Sequence, residues 1–523
     1  MNKAATQTNP PMPAARFRWW PAVVILVLSV LAMLIAWNAM GLDRTFQVFS
    51  VWVVAAMTFL ALSLWWVFAS GLSWKAKGLG VLLGLIGLGS VKVAEYEGDL
   101  VPVFSFRWQP TREQQTRDYF ASVPEPSAGI ESEAVQASSG DWPEFRGRGR
   151  DGVVRGVELS RDWKSHPPRE IWRHPVGQAW SSFAVVGNRV YTQEQRDQIE
   201  VVSCWDLSTG EPLWAYRDDD RFNEAMGGPG PRATPTFDSS RIFSLGANGR
   251  LNCLDAATGR SLWEDPPNVL EATSGLNLEW AMSGSPLVVD GRVIVIPGGP
   301  KGGVAAFDAE TGELSWSSGS RPASYAAPRL VEINGRQMLL CFGGDGLTAY
   351  RIEDGEELWH VPWTNGPQVN AALPAVASDG RLFISSGYSA GCALLKLGVE
   401  ESEPSISWRS RKMNCKFNDP VVHGGYVYGL DEGILVCLDL ETGLRKWKRG
   451  RYGYGQLLLV GDLIVVQAER GHVALVEATP ERFRELGKFT ALRSKTWNHP
   501  VLVGNRLLVR NAAEMACYEL SVR

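Results

Sequence analysis

The chain has few of the residues and spacings that announce metal, haem or disulfide chemistry. Seven of its 523 residues are cysteine, none adjacent to another and none in Cys-x-x-Cys spacing. That leaves no paired thiolates for a zinc site and no attachment point for a c-type haem. An odd count spread from Cys204 to Cys517 does not suit a disulfide framework. The six histidines stand singly, so no Cys/His cluster has zinc-ligand spacing either. Net charge is only −4, with 21% of residues charged, and this composition fits neither a disordered chain nor a nucleic-acid binder.

What the chain does have is a repeat. CLDAATGRSLW (Cys253–Trp263) recurs as CWDLSTGEPLW (Cys204–Trp214), AFDAETGELSW (Ala306–Trp316) and CLDLETGLRKW (Cys437–Trp447), and in degraded form as AYRIEDGEELW (Ala349–Trp359). In each full copy an Asp stands eight residues before a Trp with Thr-Gly between them, which reads as strand, tight turn, strand. Gly supplies the positive φ, and the Asp and Thr oxygens bond the turn's backbone. Trp172, Trp214, Trp263, Trp316, Trp359, Trp408 and Trp447 are spaced by 39 to 53 residues, a period that suits a four-stranded propeller blade.

Eight short apolar strand pairs accompany these copies, beginning with SFAVVGNRVY (182–191) and ending with HPVLVGNRLLV (499–509). Six carry Pro at one aligned position: Pro235, Pro286, Pro328, Pro374, Pro420 and Pro500. Pro cannot donate to a ladder, so it belongs at an edge or a strand start, as on the innermost strand of a blade. The eighth blade runs out at the end of the sequence before its final strand. EIWRHP (Glu170–Pro175) carries Trp172 where the repeat Trp belongs, and it is expected to close the ring and hide the open edge.

Ahead of the repeats the chain is different. Residues 1–18 are polar and basic and are expected in the cytoplasm. A membrane region follows over 19–96, with helices expected at about 19–41, 47–70 and 76–95. The first two runs each hold enough apolar residues to span a bilayer. In the third, Gly80 and Gly84 offer a small-residue packing face. Lys3, Arg16 and Arg18 before the first run, set against Glu95, Glu97 and Asp99 after the third, place the N-terminus inside and the rest outside by the positive-inside rule. The reading is a multi-pass protein of the cell (inner) membrane with a periplasmic or extracellular domain. Residues 97–140 are rich in Ser, Glu, Gln and Pro and read as a flexible linker, and 141–523 as the propeller.

The Asp-x-x-Thr-Gly-x-x-x-Trp copies, with Trp142, Pro143, Phe145, Arg146 and Gly147 ahead of them, resemble the pyrroloquinoline-quinone-like β-propeller repeat proteins of bacteria. The resemblance covers about 141–523 and implies an all-β, eight-bladed propeller. For activity it leaves two readings open, because quinoprotein dehydrogenases and a non-enzymatic lipoprotein of outer-membrane protein assembly share the repeat. Such dehydrogenases carry a vicinal Cys pair and hold calcium with Glu and Asn. Here no Cys pair exists, and Glu194, Asn277 and Glu279 are the conceivable oxygen donors. The assembly lipoprotein is anchored through an N-terminal Cys, whereas the first Cys here is Cys204. The expectation is a binding or scaffold module with no cofactor. A quinone-dependent oxidoreductase using pyrroloquinoline quinone and calcium is the alternative.

Cys204, Cys253, Cys437 and Cys517 fall at equivalent strand positions where other copies have Ala, and read as small core residues. Three residues before the Pro-aligned position of each inner strand stand Trp180, Arg232, Ser283, Tyr325, Ala371, Phe417, Tyr454 and Trp497, with Asn370, Lys416, Asn498 and His499 beside them. By pseudo-symmetry these form a ring at one mouth of the channel. Trp180, Arg232, Tyr325, Asn370, Lys416, Phe417, Tyr454, Trp497 and Asn498 are the candidate ligand-binding residues, for a small molecule or for a protein or peptide partner. The opposing reading is that the aromatics only plug the channel. The expected partners are the lipid bilayer, through the N-terminal helices, and a protein or peptide at this mouth, with no nucleic acid.

Overall fold

A computed structural model describes residues 17–38, 44–97, 101–122, 134–398 and 403–523. The chain divides into two compact units, one comprising Met1–Thr111 with Ala225–Gly228, the other Arg112–Glu224 with Pro229–Arg523.

In the first unit two helices are long and apolar enough to cross a membrane, Trp20–Asn38 and Gln47–Ala69. The second ends in a π-helical turn, Trp65–Ala69, and Thr58 Oγ1 donates to Ser29 Oγ at 2.6 Å to tie the pair together. The third expected span, at about 76–95, is only partly observed. Its helix runs Trp74–Ser90, 17 residues, and the chain then turns into a strand, Val91–Glu97, paired antiparallel with Val101–Phe106. The reason is local: glycines at 84, 87 and 89 weaken the helix, and Val91 and Val93 flanking Lys92 set a period of two. Of the two glycines expected to form a packing face, Gly80 lies against the Trp66 ring, whereas a Cβ on Gly84 would meet no atom within 4 Å.

The flexible linker is also only partly observed. Val101–Phe106 is strand and Arg112–Ser122 is helix, while 123–133 lie outside the described residues. Tyr119 and Phe120 on that helix pack against the propeller core. Two adjacent aromatics are enough to dock a helix in a stretch whose average composition is that of a tether.

The second unit is a ring of eight antiparallel sheets. Each blade runs outward from an innermost strand, and each of the six aligned prolines directly precedes its innermost strand, as Pro286 precedes Leu287–Val289 and Pro420 precedes Val421–His423. Arg169–Pro175 pairs with Glu514–Glu519, setting Trp172 opposite Cys517, so the eighth blade is completed by the N-terminal strand. Blade 2 departs from expectation with three strands, Thr236–Asp238, Arg241–Leu245 and Leu251–Asp255. Its fourth is reduced to isolated bridges at Ser261 and Asn268, because Pro266 and Pro267 follow Trp263 and cannot donate to a ladder.

The repeat's logic is visible between blades. Within a blade the Trp faces a small residue, as in Cys204↔Trp214, Ala306↔Trp316 and Cys437↔Trp447. Between blades it covers the Thr-Gly turn of the next copy: a Cβ on Gly259 would lie 2.4 Å from the Trp214 ring, and one on Gly443 2.8 Å from Trp408. The indole N–H then donates across the same seam, Trp214 to Ala256 O at 3.1 Å and Trp408 to Leu440 O at 3.0 Å. Trp316 faces the degraded copy, and its indole N–H has no partner. In blade 7 the Trp position is Gly487, opposite Leu475. Trp163, from the segment before the ring, fills the gap, its Cβ lying 2.8 Å from where a Gly487 Cβ would be. Each buried indole contributes roughly 1.5–3 kcal/mol by area. All seven cysteines are buried and unpaired; burial pushes Cys204, Cys253, Cys437 and Cys517 up to about 12, so they remain thiols and serve packing.

Candidate functional site

Innermost strands of neighbouring blades touch one another, as between blades 1 and 2 and between blades 6 and 7, and they enclose the axial channel. One end of it is filled by Asp141–Val154. This segment coils through five residues of positive φ, Arg146, Gly147, Gly149, Arg150 and Gly152; Gly147 sits beneath the Trp142 ring and Gly152 against the Arg146 guanidinium, positions a side chain could not occupy. Trp142 bridges to Val185 of blade 1, and Val153–Val154 pairs in parallel with Leu459–Val460 of blade 7.

Arg150, 1% exposed, holds the ring together from inside. Its guanidinium donates to Ser285 O at 2.9 Å and to Pro328 O at 2.8 Å, with Glu144 as counter-charge at 2.7 Å. Arg329 does likewise with Gly149 O and Pro374 O. The proline layer that cannot donate thus offers carbonyls to buried arginines. Deeper, Asp419 accepts from Leu373 N at 2.5 Å and from His499 Nε2 at 2.8 Å, with Arg146 at 3.5 Å. Burial works against ionising Asp419, yet the Arg146 guanidinium and His499 hold its carboxyl below the usual range.

The candidate residues lie at the opposite end, on the loops leading into the innermost strands. The structure brings five of them together. Ring centroids are 4.8 Å apart for Trp180 and Trp497, 5.1 Å for Phe417 and Trp497, and 5.3 Å for Phe417 and Tyr454. The Lys416 ammonium sits 4.8 Å over Tyr454, 5.0 Å over Tyr388 and 5.7 Å over Phe417. The floor is held rigidly: Gln456 Nε2 donates to Phe417 O at 2.9 Å and Trp497 O at 2.8 Å, and Trp497 Nε1 donates to the buried Glu469 carboxylate at 3.1 Å. Arg232 and Tyr325 belong to a second group. Arg232 lies 4.6 Å over Phe222, and burial lowers its pKa to about 10. Tyr325 stacks on Trp280 at 5.5 Å, and burial raises it to about 12.

Asn370 and Asn498 are buried rather than presented. Asn370 Nδ2 donates to Gly343 O and Trp363 O, and Asn498 Nδ2 to Ala179 O and Ser181 O. Both lock loops that carry the ring. Reasoning from the sequence missed Tyr388, Lys495, Trp363 and Glu469, which sit in strand-connecting loops without repeat signature; Lys495 lies 4.2 Å over Trp497. Three buried carboxamide oxygens nearby, Gln456 Oε1, Gln467 Oε1 and Asn498 Oδ1, have no hydrogen-bond partner.

The residues conceivable for calcium do not fit that ion. Glu194 is buried, and its carboxylate already accepts from Gly177 N and pairs with Arg196 at 2.5 Å. Asn277 Oδ1, the atom that would ligate, is buried without a hydrogen-bond partner, but Glu279 is exposed, so no second free oxygen donor stands with it. Among the described residues no group of three His, Cys, Asp or Glu side chains could hold a metal ion.

Eight blades, five of whose seams set a Trp on a turn Gly, closed by an N-terminal strand and stoppered at one end, define a β-propeller repeat protein of the pyrroloquinoline-quinone-like class. A family model described as "Outer membrane protein assembly factor BamB" matches residues 167–265, 220–449 and 406–484. The chain belongs to that family. The outer membrane protein assembly factor BamB of Burkholderia pseudomallei is 25% identical over 363 residues, covering 65% of this chain and 85% of that protein. The quinohemoprotein alcohol dehydrogenase of Comamonas testosteroni is 31% identical over 256 residues, 47% of this chain but 30% of the enzyme. Among solved structures, BamB from Moraxella catarrhalis superposes with a TM-score of 0.51 at 16% identity, covering 68% of this chain and all of that one.

Proposed function

We propose that this chain is a membrane-anchored, non-enzymatic binding or scaffold module that captures a protein or peptide partner at the unstoppered mouth of its propeller. The observation that carries the reading is the contiguous floor of Trp180, Phe417, Tyr454 and Trp497 with Lys416 among the rings. Large aromatic faces with a few fixed polar groups in a concave mouth are what recognition sites are built from. Trp20–Asn38 and Gln47–Ala69 support anchoring in a bilayer. Helix Trp74–Ser90, about 26 Å long at 1.5 Å per residue, lies at the short end of what spans. We take it as a third pass, which puts the propeller on the far side of the cell membrane from a cytoplasmic N-terminus.

One experiment addresses both parts. The native thiols are buried, so Tyr454→Cys in the full chain is the site for a membrane-impermeant, thiol-directed photo-crosslinker applied to spheroplasts. Labelling from outside is expected, with a crosslinked adduct that Trp497→Ala abolishes. No labelling would reverse the topology, and an adduct indifferent to Trp497 would remove the mouth from the reading.

The second reading, a quinone-dependent oxidoreductase, is favoured by the 31% identity to the Comamonas enzyme and opposed by the calcium donors described above. Stoichiometric binding of pyrroloquinoline quinone with calcium to the full chain, with dye reduction, would establish it instead.

A further inference from the structure

We infer that the mouth is built for an acidic peptide segment, a strand of partner protein bearing Asp or Glu side chains that lies across the loops of blades 5 to 8. The inference rests on reading the mouth as a docking site and names what docks there. In every blade the connection between the second and third strands, and the connection out to the next blade, emerge on the face that carries the aromatic floor. On blades 5 to 8 these connections are basic: Arg411, Arg470 and Arg493 are exposed, Arg451 ends the outermost strand of blade 6 on the same face, and Lys416 stands over the floor. The carboxylates among them are occupied. Asp431 is paired with Lys448 at 2.5 Å, Glu432 accepts from the Tyr454 hydroxyl at 3.0 Å, and Glu469 accepts from Trp497. On blades 1 and 2 the same face carries Asp218, Asp219, Asp220 and Glu224 against a single exposed Arg221 among them, with Asp218 and Asp220 held by the neutral amides of Asn252 and Asn248. Charge across the mouth is therefore segregated, and an acidic guest is drawn to one side of it.

The basic arc continues into a cleft. A concavity of about 540 Å³ is lined by Trp363, Thr364, Ala390, Arg409 and Arg411, with the Arg409 guanidinium 5.2 Å over the Trp363 ring. The turn between cleft and floor holds Tyr388 and Ser389 at φ 56 and 64, a conformation that non-glycine residues adopt at a cost. That turn delivers Tyr388 to Lys416 on one side and Ala390 to the cleft on the other. Cations stacked on rings are partly shielded from water and keep their charge for an incoming carboxylate. Behind the floor, Gln456 Oε1 and Asn498 Oδ1 lack donors.

The test uses the full chain in neutral detergent or nanodiscs and a fluorescent twelve-residue peptide of alternating Glu and Gly with one central Phe. The same peptide with Lys for Glu serves as control, and vesicles of zwitterionic lipid with or without anionic phospholipid form a third arm. The acidic peptide is expected to bind, weakening about tenfold between low and high salt because the attraction is screened. Lys416→Gln with Arg411→Gln should weaken it to a similar extent, and Lys301→Gln on blade 3 should leave it unchanged. If the acidic and Lys peptides bind alike and Trp497→Ala weakens both, the mouth docks peptides but its charge selects nothing, and the inference alone falls. If neither peptide binds while anionic vesicles do, with the same dependence on Lys416 and Arg411, the guest is a lipid surface and the peptide assignment is wrong. Binding of the acidic peptide that ignores Trp497, Lys416 and Arg411 alike would take the mouth itself away.

Discussion

At the scale of the residue, the chain spends its polar side chains on holding loops in place. Asn370, Asn498, Gln456 and Glu469 fix the backbone or rings of the mouth, while Arg146, Arg150 and Asp419 stopper the far end. This buried machinery carries a pH dependence. Burial holds the pKa of His499 below its ordinary value, against the pull of Asp419, so the unfolded chain binds that proton more tightly than the fold does. Stability from this residue is therefore present above the unfolded pKa of about 6.5 and declines as pH falls through it. His174 and His360 shift the same way through burial. Thermal melts of the full chain should fall between about pH 7.5 and 5.5, and His499→Gln should flatten part of that fall. An unchanged slope in the variant would remove His499 from the account. Asp419, held low, adds a further loss only at more acid pH.

At the scale of the element, the instructive piece is the helix Arg112–Ser122. Its stretch reads as a tether by composition, yet the helix is anchored by Tyr119 OH to His174 Nδ1 at 3.0 Å, by Arg117 to Asp197 at 2.8 Å, and by Phe120, which has Arg196 3.4 Å above its ring and Trp205 5.8 Å away. His174 lies on the closing strand and Arg196 and Trp205 on blade 1, so the helix straps the seam where the ring is joined. Phe120→Ala should cost about 1–2 kcal/mol through lost burial and cation–π contact. Hydrogen exchange is the measurement: amides of 112–122 should be protected in the wild type and lose protection in the variant. Free exchange in the wild type would mean the helix does not dock. Nothing in this stretch's periodicity marked it, because two aromatics side by side carry no period; what marks them is the groove they meet.

At the scale of the whole molecule, stability depends on closure. The strand Arg169–Pro175 is the outermost of the last blade, and without it a sheet edge lies open and Trp172 leaves its place against Gly210. Deleting 169–176 should abolish cooperative unfolding of the propeller in calorimetry. A deletion variant that melts in one sharp transition at the wild-type temperature would show that the ring does not need its clasp.

Blade number, ring closure and the buried cysteines were legible in the sequence because each is written many times over in a local pattern. Asp, Thr-Gly and Trp recur at fixed offsets, and the physics of a turn and of a wedge between sheets is the same in every copy. The aligned prolines likewise located the innermost strands, and hence the loops that carry the mouth. What only the tertiary structure decided depends on residues far apart in the chain. Trp163 substitutes for the indole missing at Gly487, the arginines of Asp141–Val154 meet the carbonyls of separate blades, and Lys416 ends up between Tyr388 and Tyr454. The ring of eight positions divides into two groups for the same reason. Repetition fixes where each loop begins, but the loops themselves do not repeat, and their side chains find neighbours only once the ring has closed.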